Sequence, residues 1–240
     1  MAHSGLRRDP DAAQTEAVED YAKAIYALAR RDEGPVGTGA LAERLGVSPG
    51  TATAMIKRLA ELGIAEHEPY RGVTLTAAGE RVALEVVRHH RLIESYLAEA
   101  LGMPWDRVHD EAEVLEHYIS EELEERIAAA LGNPSHDPHG DPIPDRRLAI
   151  SEVGGVALAD LGRGEGGVFG RVSDSDPRML RYLAERGIRP GATVTVIDHE
   201  PFGGALMIVV DGTSHAIGTE LAQRMLITDP RREGKAGQGD

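Results

Sequence analysis

The stretch WDRVHDEAEVLEHYISEELEERI, from Trp105 to Ile127, sets imidazoles and carboxylates at spacings suited to holding a divalent cation. Read as one helix, it places His109, Glu113, Glu116 and His117 at i, i+4, i+7 and i+8, so all four share one face. Val108, Ala112, Leu115, Ile119 and Leu123 form a separate apolar stripe, and the ligand-type side chains border that packing seam. Just upstream, VALEVVRHHRLIESYLAEAL puts His90 and Glu94 one turn apart on a second helix. Packing the two helices together would gather imidazoles and carboxylates in one pocket, where a divalent cation offsets their mutual repulsion. Glu121, Glu122, Glu124 and Glu125 read instead as a solvated face that stops at Arg126.

Composition narrows what that cation is. The chain of 240 residues contains no cysteine, which excludes disulfides, thiolate-held zinc or iron–sulfur clusters and a thiol nucleophile. Any ion is therefore held by oxygen and imidazole alone, a set that suits hard or borderline ions such as Mn²⁺ and Fe²⁺. The formal net charge is -14, yet residues 85–145 hold about fifteen acidic residues against four basic ones, so the acidity lies away from the N-terminal region. No apolar run approaches membrane-spanning length, and MAHSGLRRDPDAAQTEA has no signal-peptide core; no membrane association and a cytoplasmic location are expected.

The elements that must position these residues come in a definite order. Residues 1–14 are expected to be a disordered lead-in, followed by a helix from Thr15 to about Arg30 with Asp20 near its start. Then TGALAERLGVSPGTATAMIKRLAELGIAEHEPYRGVTLTAAG has the grammar of a winged helix. Thr38 is expected to cap a short helix that Gly46 ends, and Val47-Ser48 turns into a second helix with Pro49 in its first turn. That second helix exposes Thr51, Thr53, Lys57 and Arg58, and a hairpin follows with Tyr70-Arg71-Gly72 near its tip. A helix-turn-helix sets its second helix in the major groove, so Thr38, Ser48, Pro49, Thr51, Thr53, Lys57, Arg58 and Arg71 are the candidate DNA contacts. These elements define a DNA-binding domain over 15–75, and residues 76–131 form a helical domain whose surplus apolar residues suggest a homodimer seam. Residues 132–149, rich in Pro, Gly and Asp, read as an extended linker or ordered loop, with His136 and His139 as loop residues. From 150 to 229 the periodicity is that of short strands, which suits a small antiparallel barrel, and 230–240 is expected to be a disordered tail. Asp174, Ser175 and Asp176 stand at a strand end, either as plain loop residues or within reach of a metal site.

The order of winged helix, acidic helical pair, Pro/His-rich segment and small barrel resembles the diphtheria toxin repressor family of metal-dependent transcriptional regulators, and within it the manganese transport regulators. The resemblance spans nearly all of 15–229 and is carried by Val18-Glu19-Asp20-Tyr21 with Ile25-Tyr26, Tyr70-Arg71-Gly72, His89-His90-Arg91-Leu92, Val108-His109-Asp110-Glu111-Ala112, Glu116-His117 and Pro138-His139-Gly140-Asp141-Pro142-Ile143-Pro144. It implies a mostly α chain with a β domain: winged helix-turn-helix, helical dimerisation and metal domain, and C-terminal SH3-like β-barrel. It further implies a primary metal site of Asp20, Glu113, Glu116 and His117, and an ancillary site of His90, Glu94 and His109 completed by Asp174 or Asp176. Iron sensors of the family typically place Met and Cys where this chain has Asp20 and Glu113, and carboxylate in place of sulfur favours Mn²⁺. Some two-domain manganese sensors carry a second carboxylate where this chain has Lys23, so two separated sites per chain are expected rather than a close metal pair.

The expected function is a Mn²⁺-dependent regulator, a repressor of metal-uptake genes, that binds a palindromic operator in double-stranded DNA as a homodimer. An iron-dependent repressor of the same family is the nearer alternative. A di-metal carboxylate enzyme is the more distant one: it needs Glu-x-x-His on two helices, and the chain offers Glu-x-x-Glu-His once. No catalytic residues are assigned.

Overall fold

The computed structural model describes residues 10–151, 154–173 and 176–232; the lead-in over 1–9, Asp174, Ser175 and the tail from 233 onward lie outside the described residues. The chain divides into two compact units. One comprises Met1–His89, Glu116–Ile119 and Pro144–Leu148, the other His90–Leu115, Ser120–Ile143 and Ala149–Asp240.

In the first unit, helix α1 (Pro10–Asp32) begins five residues before the expected Thr15, with a proline in the first turn, where its missing N–H costs nothing. Helices α2 (Thr38–Arg44) and α3 (Pro49–Glu61) follow, then the hairpin β1 (Ala65–Glu68) and β2 (Gly72–Leu75). The expected Thr38 cap is corrected: Gly37 is the N-cap without a side-chain bond, and Thr38 is the first helical residue. Ser48 does cap α3, its hydroxyl accepting the Thr51 N–H at 3.1 Å, and Pro49 fills the first helical position. Gly46 and Gly63 take φ of 65° and 72° after α2 and α3, conformations that side-chain-bearing residues resist. One core joins the four elements: Val18, Tyr21, Ile25 and Leu28 of α1 pack with Leu41, Ile56, Leu59 and Val73. Gly72 is required where the hairpin meets the rest, because a Cβ there would lie 2.6 Å from the Val36 carbonyl.

Helix α4 (Ala77–Glu99) contributes residues through His89 to the first unit and from His90 to the second. The expectation of one helix through Trp105–Ile127 is corrected. The chain forms α5 (Val108–Leu115), an unwound turn, and α6 (Glu121–Ala130). Ser120 takes an extended conformation and its hydroxyl accepts the Leu123 N–H at 3.3 Å, while Glu121, Glu122 and Glu124 load the first turn of α6 with negative charge. A capped, dipole-complemented start at 120 outcompetes continuation of the apolar stripe. Glu116–Ile119 thereby leave helical geometry and belong to the first unit.

In the second unit, residues 132–143 are an ordered loop: the backbone N–H of Val172 donates to the His139 carbonyl at 3.0 Å, and Asp137, His139, Asp141 and Ile143 are buried. The strands β3 (Val156–Ala157), β4 (Glu165–Val172), β5 (Thr193–His199), β6 (Leu206–Val210), β7 (Thr213–Ile217) and β8 (Met225–Arg232) make one antiparallel sheet in the order β3-β8-β4-β5-β6-β7. The SH3-like barrel expectation is overturned, because the sheet stays open with β3 and β7 as its edges. Helix α7 (Pro177–Ala184) and the unforeseen helix α8 (Thr219–Arg224) explain how it does so. Leu180, Leu183, Leu221 and Ala222 bury themselves against Phe169, Val194, Val196 and Ile208, so helices cover the apolar face that closure would otherwise have to bury. A two-residue edge strand such as β3 also offers little ladder for a closing partner.

Candidate metal centres and DNA-reading surface

The unwound turn after α5 decides the first centre. His117 lies with its Nε2 3.0 Å from Asp20 Oδ1 and its Nδ1 2.6 Å from Glu19 Oε2, so carboxylates from α1 face both ring nitrogens. Those carboxylates hold the protonated ring: Asp20 and Glu19 outweigh burial, with a smaller push from Glu116, and the His117 pKa rises to about 10. Glu116, whose side chain is fully buried, lies 3.6 Å from His117 Nε2 and accepts both Lys23 Nζ contacts at 2.8 and 2.9 Å. Its backbone carbonyl lies 3.1 Å from His89 Nδ1, and Tyr118 donates its hydroxyl to Glu16. Asp20, Glu116 and His117 therefore converge as ligand-type atoms within 4.8 Å of one another. Of the four residues that the resemblance groups as a primary site, these three stand together, whereas Glu113 sits on α5 and stands with His90 and His109. Ending the helix at Leu115 removes the common face that His109, Glu113, Glu116 and His117 were expected to share.

The second centre is built around Glu94. His90 Nε2 lies 3.0 Å and His109 Nδ1 3.3 Å from Glu94 Oε1, and the two ring nitrogens are 3.1 Å apart. Glu113 Oε1 stands 3.8 Å from His90 Nδ1 and 3.7 Å from His109 Nε2. On its other side Glu94 meets the 132–143 loop, with Oε2 3.5 Å from His139 Nδ1. Burial opposes ionisation of Glu94, but the imidazoles of His109, His139 and His90 converge on it and hold its pKa well below the ordinary value.

His139, read from sequence as a loop residue, stands beside this centre: with Asp137 and Glu94 it forms a third, fully buried grouping. A tight turn places them. Asp137 Oδ1 accepts the backbone N–H groups of His139 and Asp141 at 2.8 and 2.9 Å, and Gly140, at φ 89°, lets the turn lie against β4. Burial, then the charges of Asp141 and Glu94, push the Asp137 pKa up to about 8. His139 carries a sharper indication. Its Nε2 lies 2.8 Å from the Trp105 carbonyl, which can only accept, so that nitrogen bears the proton and Nδ1 of the neutral ring presents a lone pair. The atom it faces is Glu94 Oε2, and neither has a hydrogen-bond partner. Two buried acceptors aimed at each other need a proton or a cation between them. Burial works against protonation, but Glu94 and Asp137 raise the ring's pKa to about 9, so negative potential at this point is strong. The carboxylate and imidazole donors of both centres fit a divalent ion.

Asp176 is placed elsewhere. Its Oδ1 accepts the Arg178 N–H at 2.9 Å as the N-cap of α7, its Oδ2 pairs with Arg178 at 2.8 Å, and those bonds hold its pKa down at about 2. It joins none of the metal-type groupings among the described residues, and Asp174 lies outside them. His136 is exposed beside Ser135.

The helix-turn-helix residues lie on the first unit. Ser48, Pro49, Thr51, Lys57 and Arg71 are exposed, and Thr38, Thr53 and Arg58 are half-buried. Ala52, Ile56 and Leu59 bury the opposite side of α3 and fix its orientation. Thr53 returns its hydroxyl to the Pro49 carbonyl at 2.8 Å, and Arg58 lies 3.4 Å from Glu61. Tyr70 at the hairpin tip is fully exposed on a backbone of φ 67°.

Known protein families match three successive segments of the chain. Residues 14–73 match the iron dependent repressor N-terminal DNA binding domain, 76–145 the iron dependent repressor metal binding and dimerisation domain, and 156–229 the FeoA domain. The iron-dependent repressor IdeR of Mycobacterium tuberculosis is 30% identical over 224 residues, covering 88% of this chain and 96% of that protein. The diphtheria toxin repressor of Corynebacterium diphtheriae is 29% identical over 230 residues, covering 85% and 97%. Among solved structures, a manganese-dependent transcriptional repressor in complex with manganese superposes with a TM-score of 0.79 at 41% identity, covering 88% of this chain and 99% of that one. The manganese regulator SloR gives 0.69 at 31%, covering 88% and 97%. No helix among the described residues is long and apolar enough to cross a membrane. A DNA-reading domain joined to clustered metal-type ligands, on a chain matched over nearly its whole length, places this protein in the diphtheria toxin repressor and IdeR family of metal-dependent, non-catalytic DNA-binding repressors.

Proposed function

We propose that this regulator is a Mn²⁺-responsive repressor of metal-uptake genes that binds a palindromic operator in double-stranded DNA as a homodimer. The observation that carries the choice of metal is the donor set. Asp20, Glu116 and His117 at one centre, and Glu94, His90, His109, Glu113, Asp137 and His139 at the other, offer oxygen and imidazole nitrogen without sulfur. Such ligands suit hard ions, and two of the structurally similar proteins are described as manganese regulators. A bound divalent ion would supply positive charge that draws these carboxylates and neutral imidazoles into one fixed arrangement.

The protein's own residues turn that arrangement into DNA binding. Asp20 stands on α1, whose Val18, Tyr21, Ile25 and Leu28 are part of the core that also seats α2 and α3. Holding Asp20 against Glu116 and His117 therefore restrains α1 and, through that core, the recognition helix. Ordering of this kind raises operator affinity by the usual coupling of ~1–3 kcal/mol. Thr51, Thr53 and Ser48 would meet bases and backbone, while Lys57, Arg58 and Arg71 would meet phosphates.

The test begins with selection of an operator from random DNA in the presence of Mn²⁺. Fluorescence anisotropy of that operator then follows titration of the chelated protein with Mn²⁺, Fe²⁺ and Zn²⁺ in parallel. Activation by Mn²⁺ in the low micromolar range is expected, and Glu116→Ala is expected to lose metal-activated binding while remaining a folded dimer. Stronger activation by Fe²⁺ would favour the iron-dependent reading that the 30% identity to IdeR keeps in view. Binding indifferent to every metal would refute the sensing role.

A further inference from the structure

An ammonium group has no lone pair to offer a metal ion, and that of Lys23 occupies the carboxylate that the first centre depends on. From α1 it reaches both oxygens of Glu116, at 2.8 and 2.9 Å, with its own side chain only 18% exposed and that of Glu116 at 0%. Glu19 and Asp20 lie one turn before it on the same helix, and His117 lies 3.6 Å from Glu116. The side chain is thus a tethered cation inside the cluster of negative groups that would hold a divalent ion.

We infer that Lys23 is an affinity-setting residue of the first centre, a built-in competitor that raises the Mn²⁺ concentration needed to engage Glu116. The inference rests on the proposed metal reading of Asp20, Glu116 and His117. A carboxylate as buried as Glu116 is costly without a counter-charge, and Lys23 supplies one at ion-pair distance. An incoming ion must take over at least one of the two Glu116 oxygens that Lys23 now engages. Once there, it has a fixed positive charge as a near neighbour, and the burial of the Glu116 side chain between them limits the screening of that repulsion. Both effects disfavour the loaded state. A different role, in which Lys23 merely orients Glu116 as a ligand, predicts the opposite sign: removing the amine would then weaken metal binding.

Isothermal calorimetry of the full chain with Mn²⁺ separates the two. Lys23→Met keeps the length of the side chain and deletes the charge. It is expected to tighten the first-centre ion by at least about tenfold, the scale on which a neighbouring like charge acts at this distance. Lys23→Arg keeps the charge and is expected to stay near wild type. Thermal unfolding in chelator gives an independent readout: Lys23→Met should melt earlier than wild type without metal and gain more on adding Mn²⁺, because its buried carboxylate has lost its partner. Equal or weaker Mn²⁺ binding by Lys23→Met, in a background where Glu116→Ala removes one bound ion, would overturn this inference alone. If Glu116→Ala leaves the number of bound ions unchanged, the metal reading of this centre fails and the inference fails with it.

Discussion

Raising the pH from 6.5 to 8.5 should strengthen Mn²⁺ binding at the first centre far more than an ordinary histidine would allow. His117 faces Glu19 at 2.6 Å and Asp20 at 3.0 Å, and these carboxylates lift its pKa to about 10. To act as a ligand the ring must first release its proton, so below that value each ion bound displaces one proton and log K rises by about one per pH unit. With a pKa of about 10 the neutral fraction increases roughly a hundredfold between pH 6.5 and 8.5; with the ordinary value near 6.5 it would only about double. The sign reverses for the chelated protein. A raised imidazole pKa contributes stability that is fully present below 6.5 and is lost as pH rises through about 10, so chelated protein should melt earlier at pH 8.5 while Mn²⁺ binds more tightly. Calorimetry in buffers of differing ionisation heat measures the proton count directly. Because His139 also holds a proton, with a pKa of about 9, the measurement is made in a Glu94→Gln background that disables the second centre. About one proton released per ion at pH 7.5, with a steep pH dependence, is expected. An affinity that is flat above pH 7 would refute the claim that Glu19 and Asp20 hold His117 protonated.

Two other perturbations probe the remaining parts of the molecule. Lys57→Ala removes an exposed cation on α3 and is expected to weaken binding to all DNA sequences alike, lowering the magnitude of the salt slope by about 0.9 per protomer, or about 1.8 for the proposed dimer; an unchanged slope would take Lys57 out of the phosphate contacts. Gly140→Ala would put a Cβ 1.9 Å from the Gly170 carbonyl on a backbone of φ 89°, forcing the Asp137–His139 turn off β4. A loss of about 2 kcal/mol or more and release of the second-centre ion, with the first retained, are expected by calorimetry and thermal unfolding. Wild-type melting and stoichiometry would show that the turn is not held by that contact.

What the sequence determined by itself was the part governed by local rules. Ser48 followed by Pro49, Gly46 and Gly63 after apolar runs, and the spacing of Ala52, Ile56 and Leu59 mark the helix-turn-helix, because caps, left-handed glycines and helical period act within a few residues. Ligand chemistry was equally legible, since the absence of cysteine and the spacing of His90, Glu94, His109, Glu116 and His117 are properties of the chain itself. Even the break at Ser120 had a local signal in the serine followed by two glutamates, but a continuing apolar stripe pointed the other way, and period alone does not weigh a cap.

Tertiary structure decided which ligand-type residues stand together and how the β domain ends. Glu113 goes to His90 and His109 because the helix stops at Leu115. Asp137 and His139 become buried partners of Glu94 only because Val172 captures the His139 carbonyl and Gly140 fits against Gly170, contacts made across some thirty residues. The sheet stays open because α7 and α8 reach its apolar face. Each of these outcomes is set by pairings between distant segments, whose energies depend on shape and burial in the assembled fold and leave no periodic trace along the chain.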